Sequence, residues 1–435
     1  MAPPTIEQNA KNYNCRNLGR INMKLSVVMP TADRAETLGS AIKTVVNQDY
    51  DNLQIIVSDN ASEDDTREVV RDFNDPRIEY VNPGERLGMA SNWEYALDFV
   101  KGDYVFFLGD DDGLMPNACQ HIACLLQATS SRAVAWEKPN YSWPNSYAKP
   151  NHLDLRLDQK YFWMDGRSFL KAIARGFTSY GRLPNLYTSF VSVNDVNIIR
   201  KKNNRFFNSV TPDVYSGLVL GQAISPYIYS TRPFSINGGS AKSNGQSLNR
   251  PDDFSKKFVQ ESDININSQI PIISGSIASC VGESFLQAQK LGLVGRLKLN
   301  QSRYHHLIYK DLVGLVSIGA KNHGLNTLYQ ITRSQKLRSK ISGEIQRIRL
   351  DNYHEGSSSL PSKPRRHYRD NCRIRLDASK LGVRDIYSAS LLIDELIDGF
   401  EMPKQMKKLD SINLLASIIV NKAIPSLRAF SLNSL

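Results

Sequence analysis

Residues 101–116 read KGDYVFFLGDDDGLMP, and this stretch decides the architecture. YVFFL at 104–108 is a continuous apolar run, too short for a helix core and bounded by Gly102 and Gly109, so it reads as a strand buried on both faces. Three aspartates, Asp110, Asp111 and Asp112, follow at once. Working outward toward the N-terminus, LSVVM at 25–29 is stopped by Pro30, and LQIIV at 53–57 runs into Ser58, Asp59 and Asn60. A further short strand is expected at 78–81. Between these runs lie helical patterns at 35–47, at 62–73 behind the capping residues SEDD, and at 88–100, where Met89, Trp93, Ala96, Leu97 and Val100 share one side.

Strands that do not alternate with polar residues, separated by helices, predict an α/β fold with a mostly parallel central sheet flanked by helices. In such sheets ligands gather beyond the carboxyl ends of the strands. Pro30 and Thr31, then Asp59 and Asn60, then the three aspartates each follow a strand, so the polar groups converge on one rim. Adjacent carboxylates repel one another, and a divalent cation would relieve that repulsion. Hard oxygen donors suit Mg2+ or Mn2+, which one or two carboxylates commonly hold together with substrate phosphates. The residues alone also allow a solvated acidic turn capping the helix that begins near Pro116.

Composition sets the outer bounds. The chain has 435 residues, 41% of them hydrophobic and 22% charged, with a formal net charge of +11. That length suggests two domains, or one with a large extension. The positive surplus suits an anionic small substrate, an anionic membrane face or nucleic acid, and charge cannot choose among them. Five scattered cysteines without a CxxC pair read as buried or idle thiols in a reducing compartment. There is no apolar run of about 18 residues and no leader-like N-terminus, so a cytoplasmic location is expected, with peripheral membrane contact left open.

The ordered segments LSVVMPTADR, LQIIVSDNASEDDT, RLGMASNWEYAL and GDYVFFLGDDDGLMP resemble the inverting family-two glycosyltransferases of GT-A fold, closely over 24–128. The resemblance implies that Pro30, Thr31 and Asp59 face the nucleotide base. It further implies that the aspartates form a DxD-type site, with Asp111 and Asp112 on the metal and Asp110 near the ribose. Arg86, in GERLG, is a candidate for the diphosphate or base. PDVYSG at 212–217 resembles the family's second acidic motif, which makes Asp213 the candidate general base; helix capping after Pro212 is the competing role. The segment FVSVNDVNIIRKKNNRFF before it reads as strand-rich. RPFSINGGSAKSNG at 232–245 reads as a loop able to close over the diphosphate through Gly239, Ser240 and Lys242. Many relatives carry a histidine there, but none occurs in this chain between His152 and His305.

The expected organisation is an N-terminal tail at 1–23, a transferase domain at 24–260 and a mostly helical, basic C-terminal region at 261–435. Within the domain, 24–128 is the nucleotide-binding half and 129–260 the acceptor-side half. The implied donor is a nucleotide sugar, UDP-linked in the first instance, and the acceptor a saccharide or lipid-linked saccharide of surface-polysaccharide assembly. No nucleic-acid-binding motif is present. A nucleotidyltransferase is disfavoured, because PTADRAETLG after the first strand lacks the expected glycine-rich phosphate loop. The remaining alternative is a nucleic-acid- or membrane-binding scaffold that keeps an inactive sugar-nucleotide domain.

Overall fold

A computed structural model describes residues 6–9, 21–146, 149–243, 261–267, 269–315, 317–353 and 373–398. A strand, β1 (Ile6–Asn9), lies in the stretch read as a tail; from there the expected alternation runs through β2 (Leu25–Thr31), α1 (Ala35–Val46), β3 (Leu53–Asp59), α2 (Thr66–Arg71), β4 (Ile78–Val81), α3 (Met89–Leu97) and β5 (Tyr104–Phe107), followed by an unexpected short strand β6 (Gly113–Leu114) and then α4 (Ala118–Thr129). There follow β7 (Ala133–Trp136), β8 (Asn140–Ser142), β9 (His152–Arg156), β10 (Lys160–Met164), α5 (Gly166–Ala174), β11 (Ser189–Ser192), α6 (Val193–Asn203), α7 (Pro212–Ala223), β12 (Tyr227–Ser230) and β13 (Ser235–Gly239). The rest is α8 (Ile277–Lys290), α9 (Gln301–Val313), α10 (Ile318–Ile331), α11 (Gln335–Tyr353), β14 (Arg373–Asp377) and α12 (Ile386–Asp398).

Among the described residues nine strands form the main sheet, in the order β1-β10-β12-β7-β11-β5-β2-β3-β4. Strands β2, β3, β4 and β5 are mutually parallel, as the apolar runs predicted. The far half adds antiparallel neighbours: β11 runs against both β5 and β7, and β10 against β12. Because β7 and β12 are parallel to each other, both point the same way as β2–β5. The carboxyl ends of β2, β3, β5, β7 and β12 and the amino end of β11 therefore open on one rim.

Strand periodicity explains why both faces are buried. Val27, Met29, Ile55, Val57 and Phe106 face a core built with Leu38, Ile42, Ile122 and Ile393 from α1, α4 and α12. Their neighbours Val28, Ile56, Val105 and Phe107 face the opposite core, built with Trp93, Leu218, Phe285, Ile308 and Leu325. Trp93 stacks on Phe107 at 4.5 Å between ring centroids. The helices beyond 261 thus share the core of the sheet. Among the described residues no helix is long and apolar enough to cross a membrane.

Three expectations need correction. The segment at 190–207 is mainly helix: β11 ends at Ser192, whose hydroxyl accepts from Asp195 N–H and starts α6. An N-cap and three basic residues in the last turn, Arg200, Lys201 and Lys202, outweigh the short FVSV alternation. The glycine-rich stretch is not simply a loop, because 235–239 is the strand β13 of a second sheet ordered β14-β9-β8-β13-β6. Its residues 244 and 245 lie outside the described residues. Among the cysteines, Cys119 and Cys280 are buried free thiols. Cys124, in contrast, is disulfide-bonded, which overturns its reading as an idle thiol. Cys15 and Cys372 lie outside the described residues.

Strand β13 crosses directly over the aspartates. A Cβ on Gly238 would sit 1.7 Å from the Asp111 carbonyl oxygen and 2.7 Å from Trp143 Nε1, so only glycine passes. Gly238→Ala is expected to lower unfolding stability by on the order of 3 kcal/mol in urea titrations, because backbone must move to clear the methyl. A stability change near zero would show that β13 does not press on this turn.

Candidate active site

The rim is assembled from strand ends. Leu108 N–H donates to Val28 O at 2.8 Å, carrying β5 into the turn where Asp112 N–H closes on Gly109 O at 3.1 Å. The three carboxylates then separate. Asp112 is fully buried; its Oδ2 meets Lys138 Nζ at 2.8 Å and its Oδ1 accepts from Gly238 N–H at 2.7 Å. Lys138 Nζ also lies 3.6 Å from the centroid of the Tyr187 ring, so the ammonium is held between a carboxylate and an aromatic face.

Asp111 Oδ2 accepts from Arg34 Nη1 at 3.1 Å, from Ser240 Oγ at 2.7 Å and from Ser243 Oγ. Its carbonyl accepts from Trp143 Nε1 at 2.9 Å. Asp110 Oδ1 lies 3.3 Å from the same Arg34 nitrogen. Burial pushes the Asp110 carboxyl up to about 6; Arg34 opposes the shift and Asp111 adds to it. Burial works against the charge of Arg34, but Asp110 and Asp111 together hold its pKa above the ordinary value.

Thr31 and Asp59 are register partners at the ends of β2 and β3. Asp59 accepts from the Tyr80 hydroxyl, from Asn82 Nδ2 at 3.2 Å and from Ser62 N–H at 3.0 Å, which leaves it buried and fixed. Pro30 sits beside them, partly buried. Asn60 exchanges two hydrogen bonds with the Leu87 backbone and pins the GERLG loop to this end of the sheet. Arg86 is ion-paired with Asp33, whose φ of 54° is left-handed. Lys242 Nζ donates to Asp33 O at 3.0 Å, and Lys242 O accepts from Arg34 Nη2. Ser240 and Lys242 thus join the rim, whereas Gly239 serves β13, its carbonyl accepting from Trp143 N–H at 3.1 Å.

Asp213 stands in the first turn of α7, with Pro212 beginning the helix. Its Oδ2 accepts from the Tyr180 hydroxyl at 3.0 Å. Burial raises its pKa; hydrogen bonds from Val214 N–H and Tyr180, and the charge of Lys138, oppose the rise. Tyr187 is pushed well above its usual range, mainly by burial, with Asp112, Asp111 and Asp213 adding to the shift. Lys138 and Tyr187 are therefore electrostatically common to the aspartate turn and to Asp213.

Both oxygens of Asp112 are engaged, by Lys138 and by the Gly238 amide. Asp110 and Asp111 do offer hard oxygens beside the Ser240 and Ser243 hydroxyls, and a cation, the Arg34 guanidinium, lies among them. That donor set fits Mg2+ or Mn2+ held by few protein groups. Among the described residues no cluster of three or more His, Cys, Asp or Glu side chains is disposed to hold a metal.

Sequence reasoning missed Arg34, Lys138, Trp143, Tyr180, Tyr187 and Ser243. The strand-end rule could have found Lys138, two residues after β7, and Arg34, three after β2. Tyr187 precedes an antiparallel strand, and nothing local marks it.

Residues 26–186 match the model of glycosyl transferase family 2. A GalNAc(5)-diNAcBac-PP-undecaprenol beta-1,3-glucosyltransferase of Campylobacter jejuni is 45% identical over 98 residues, 22% of this chain and 32% of that protein. A UDP-Glc:alpha-D-GlcNAc-diphosphoundecaprenol beta-1,3-glucosyltransferase of Escherichia coli is 33% identical over 88 residues, 20% of this chain and 35% of that protein. The matched region thus spans about a third of the length of these curated relatives. Among solved structures, S. aureus TarS 1-349 in complex with UDP-GlcNAc aligns with a TM-score of 0.39 at 16% identity, over 76% of this chain and 89% of that one.

Removing one member of a buried ion pair leaves the other uncompensated. Lys138→Met is expected to cost about 3–5 kcal/mol of unfolding stability, and adding Asp112→Asn is expected to recover most of it. Equal losses in the single and double variants would mean that Lys138 does not neutralise Asp112.

Proposed function

We propose that this protein is an inverting glycosyltransferase that moves a sugar from a nucleotide-sugar donor to a saccharide or lipid-linked acceptor, with metal assistance, in surface-polysaccharide assembly. One observation carries the reading: a half-buried carboxylate, Asp213, is held by the Tyr180 hydroxyl in the first turn of α7, in a chain whose family-two segment places Asp110 and Asp111 just after β5. The undecaprenol-linked acceptors named for the two relatives, and the UDP-linked donor named for the Escherichia coli one, are the first to test. A lipid-linked acceptor would call for peripheral membrane contact on the cytoplasmic face. We take residues 24–260 as the transferase domain and the helices after 261 as an extension docked on it.

Thr31 and Asp59 receive the nucleoside, and Asp110 and Asp111 lie beside its diphosphate. Asp213 takes the proton of the acceptor hydroxyl as that oxygen attacks the anomeric carbon. The new bond joins acceptor oxygen to anomeric carbon, the bond from that carbon to the phosphate oxygen breaks, and its electron pair leaves with the nucleoside diphosphate. The proton remains on Asp213. Arg34 and Lys138 supply positive charge to the rim on which negative charge develops. A divalent metal held by Asp111, with Asp110 adjacent, would neutralise the departing diphosphate without moving protons.

The test is nucleoside-diphosphate release from UDP-, GDP- and dTDP-sugars with Mn2+, Mg2+ or chelator. We expect one donor to be turned over and chelator to suppress the turnover. Asp213→Asn should lower transfer by about a hundredfold or more while donor binding survives, and Asp111→Asn should weaken donor use. Asp213 must be ionised to accept a proton, and its pKa is raised. The rate should therefore fall on acidification at a pH above the ordinary carboxylate range. If no nucleotide sugar binds, with or without metal, the proposal fails.

A further inference from the structure

Behind Asp213 lies a chain of buried polar groups that runs into α8, outside the family-two segment. Ser209 Oγ donates to Glu283 Oε2 at 2.6 Å, Ser209 and Ser284 hydroxyls are 2.8 Å apart, and Ser284 and Thr211 hydroxyls 2.9 Å apart. Gln287 Nε2 donates to the other Glu283 oxygen at 2.7 Å. Glu283, Ser284 and Ser209 have no exposure to solvent.

Glu283 accepts from the Ser209 hydroxyl, and a hydroxyl has one proton to give. Ser209 spends its proton on Glu283, so Ser284 must donate to Ser209 and Thr211 must donate to Ser284. The order of donors is set from Glu283 outward, and it ends on the N-cap residue of α7, two positions before Asp213. Thr211 O in turn accepts from Tyr215 N–H at 3.0 Å within the first turn. Farther along that turn, Ser216 Oγ donates to Asp213 O at 2.8 Å and accepts from Leu186 N–H, which ties the helix start to the segment carrying Tyr187. A buried acid among hydroxyls is costly where apolar side chains would pack equally well, and its return is a single fixed geometry.

We infer that Glu283 is a positioning residue for the reaction: through Ser209, Ser284 and Thr211 it fixes the helix turn that presents Asp213. This rests on Asp213 being the general base. It also gives α8 a part in catalysis, although none of its residues touches substrate in this account.

The experiment compares transfer kinetics of Glu283→Gln, Thr211→Val, Thr211→Ser and Asp213→Asn in the full chain, with nucleoside-diphosphate binding and thermal unfolding as folding controls. Glu283→Gln and Thr211→Val should each lower transfer kcat about tenfold to a hundredfold, because small misplacements of a reacting group are costly. KM for the donor should stay within about twofold, the signature of a contribution made only in the transition state. Thr211→Ser, which keeps the hydroxyl, should retain at least about half of the wild-type kcat. If Glu283→Gln does not fold, the Thr211→Val and Thr211→Ser pair decides alone. Transfer kcat unchanged in Thr211→Val, while Asp213→Asn is inactive, would overturn the positioning role and leave the base assignment standing. Full transfer by Asp213→Asn would overturn both.

Discussion

The arrangement depends on how three consecutive carboxylates are kept together at the end of a buried strand. Each is dealt with differently. Asp112 is neutralised inside the protein by Lys138 and by the Gly238 amide, Asp111 is met by Arg34 and two serine hydroxyls, and Asp110 shares Arg34 while burial lifts its pKa to about 6. Unpaired, these charges would oppose folding of the turn. Paired, they bring residues from distant parts of the chain to one place: Arg34 after β2, Lys138 after β7, and Ser240 and Ser243 after β13.

That requirement also explains the second sheet. Gly238 must lie against the Asp111 carbonyl for its amide to reach Asp112, and β13 holds it there by pairing with β6 on one side and β8 on the other. The direction of the strands does the rest. Since β11 runs against its neighbours, its amino end delivers Tyr187 to the rim. Helix α7, which leads into the parallel β12, begins where Tyr180 and the field of Lys138 reach Asp213.

The parallel half of the fold was legible because its strands are apolar at consecutive positions, a pattern that only burial on both faces explains. The three aspartates stood out in the sequence because carboxylates that follow a buried strand are conspicuous, whereas Asp213 was singled out only through the resemblance of PDVYSG to a family motif. Lys138, Tyr187 and Tyr180 were not, since each is an ordinary residue until sheet order places it, and sheet order is non-local. Arg34 was within reach of the strand-end rule that found its neighbours. Strand β13 was masked by its own composition: glycine and serine suggest a loop, yet here glycine is required by a close backbone approach. The mostly helical reading of the region after 261 held at α8, Ile277–Lys290, but its contact with α7 has no trace in periodicity. Glu283 and Ser284 read as ordinary positions of an amphipathic helix.

The central proposal, that this rim receives a nucleotide-sugar donor with its diphosphate beside Asp110 and Asp111, is tested most directly by a crystal structure with nucleoside diphosphate and Mn2+ bound. The account predicts the base against Thr31 and Asp59, the diphosphate and metal at Asp111 with the Arg34 guanidinium beside the diphosphate, and Asp112 still on Lys138. A nucleotide bound elsewhere would contradict it.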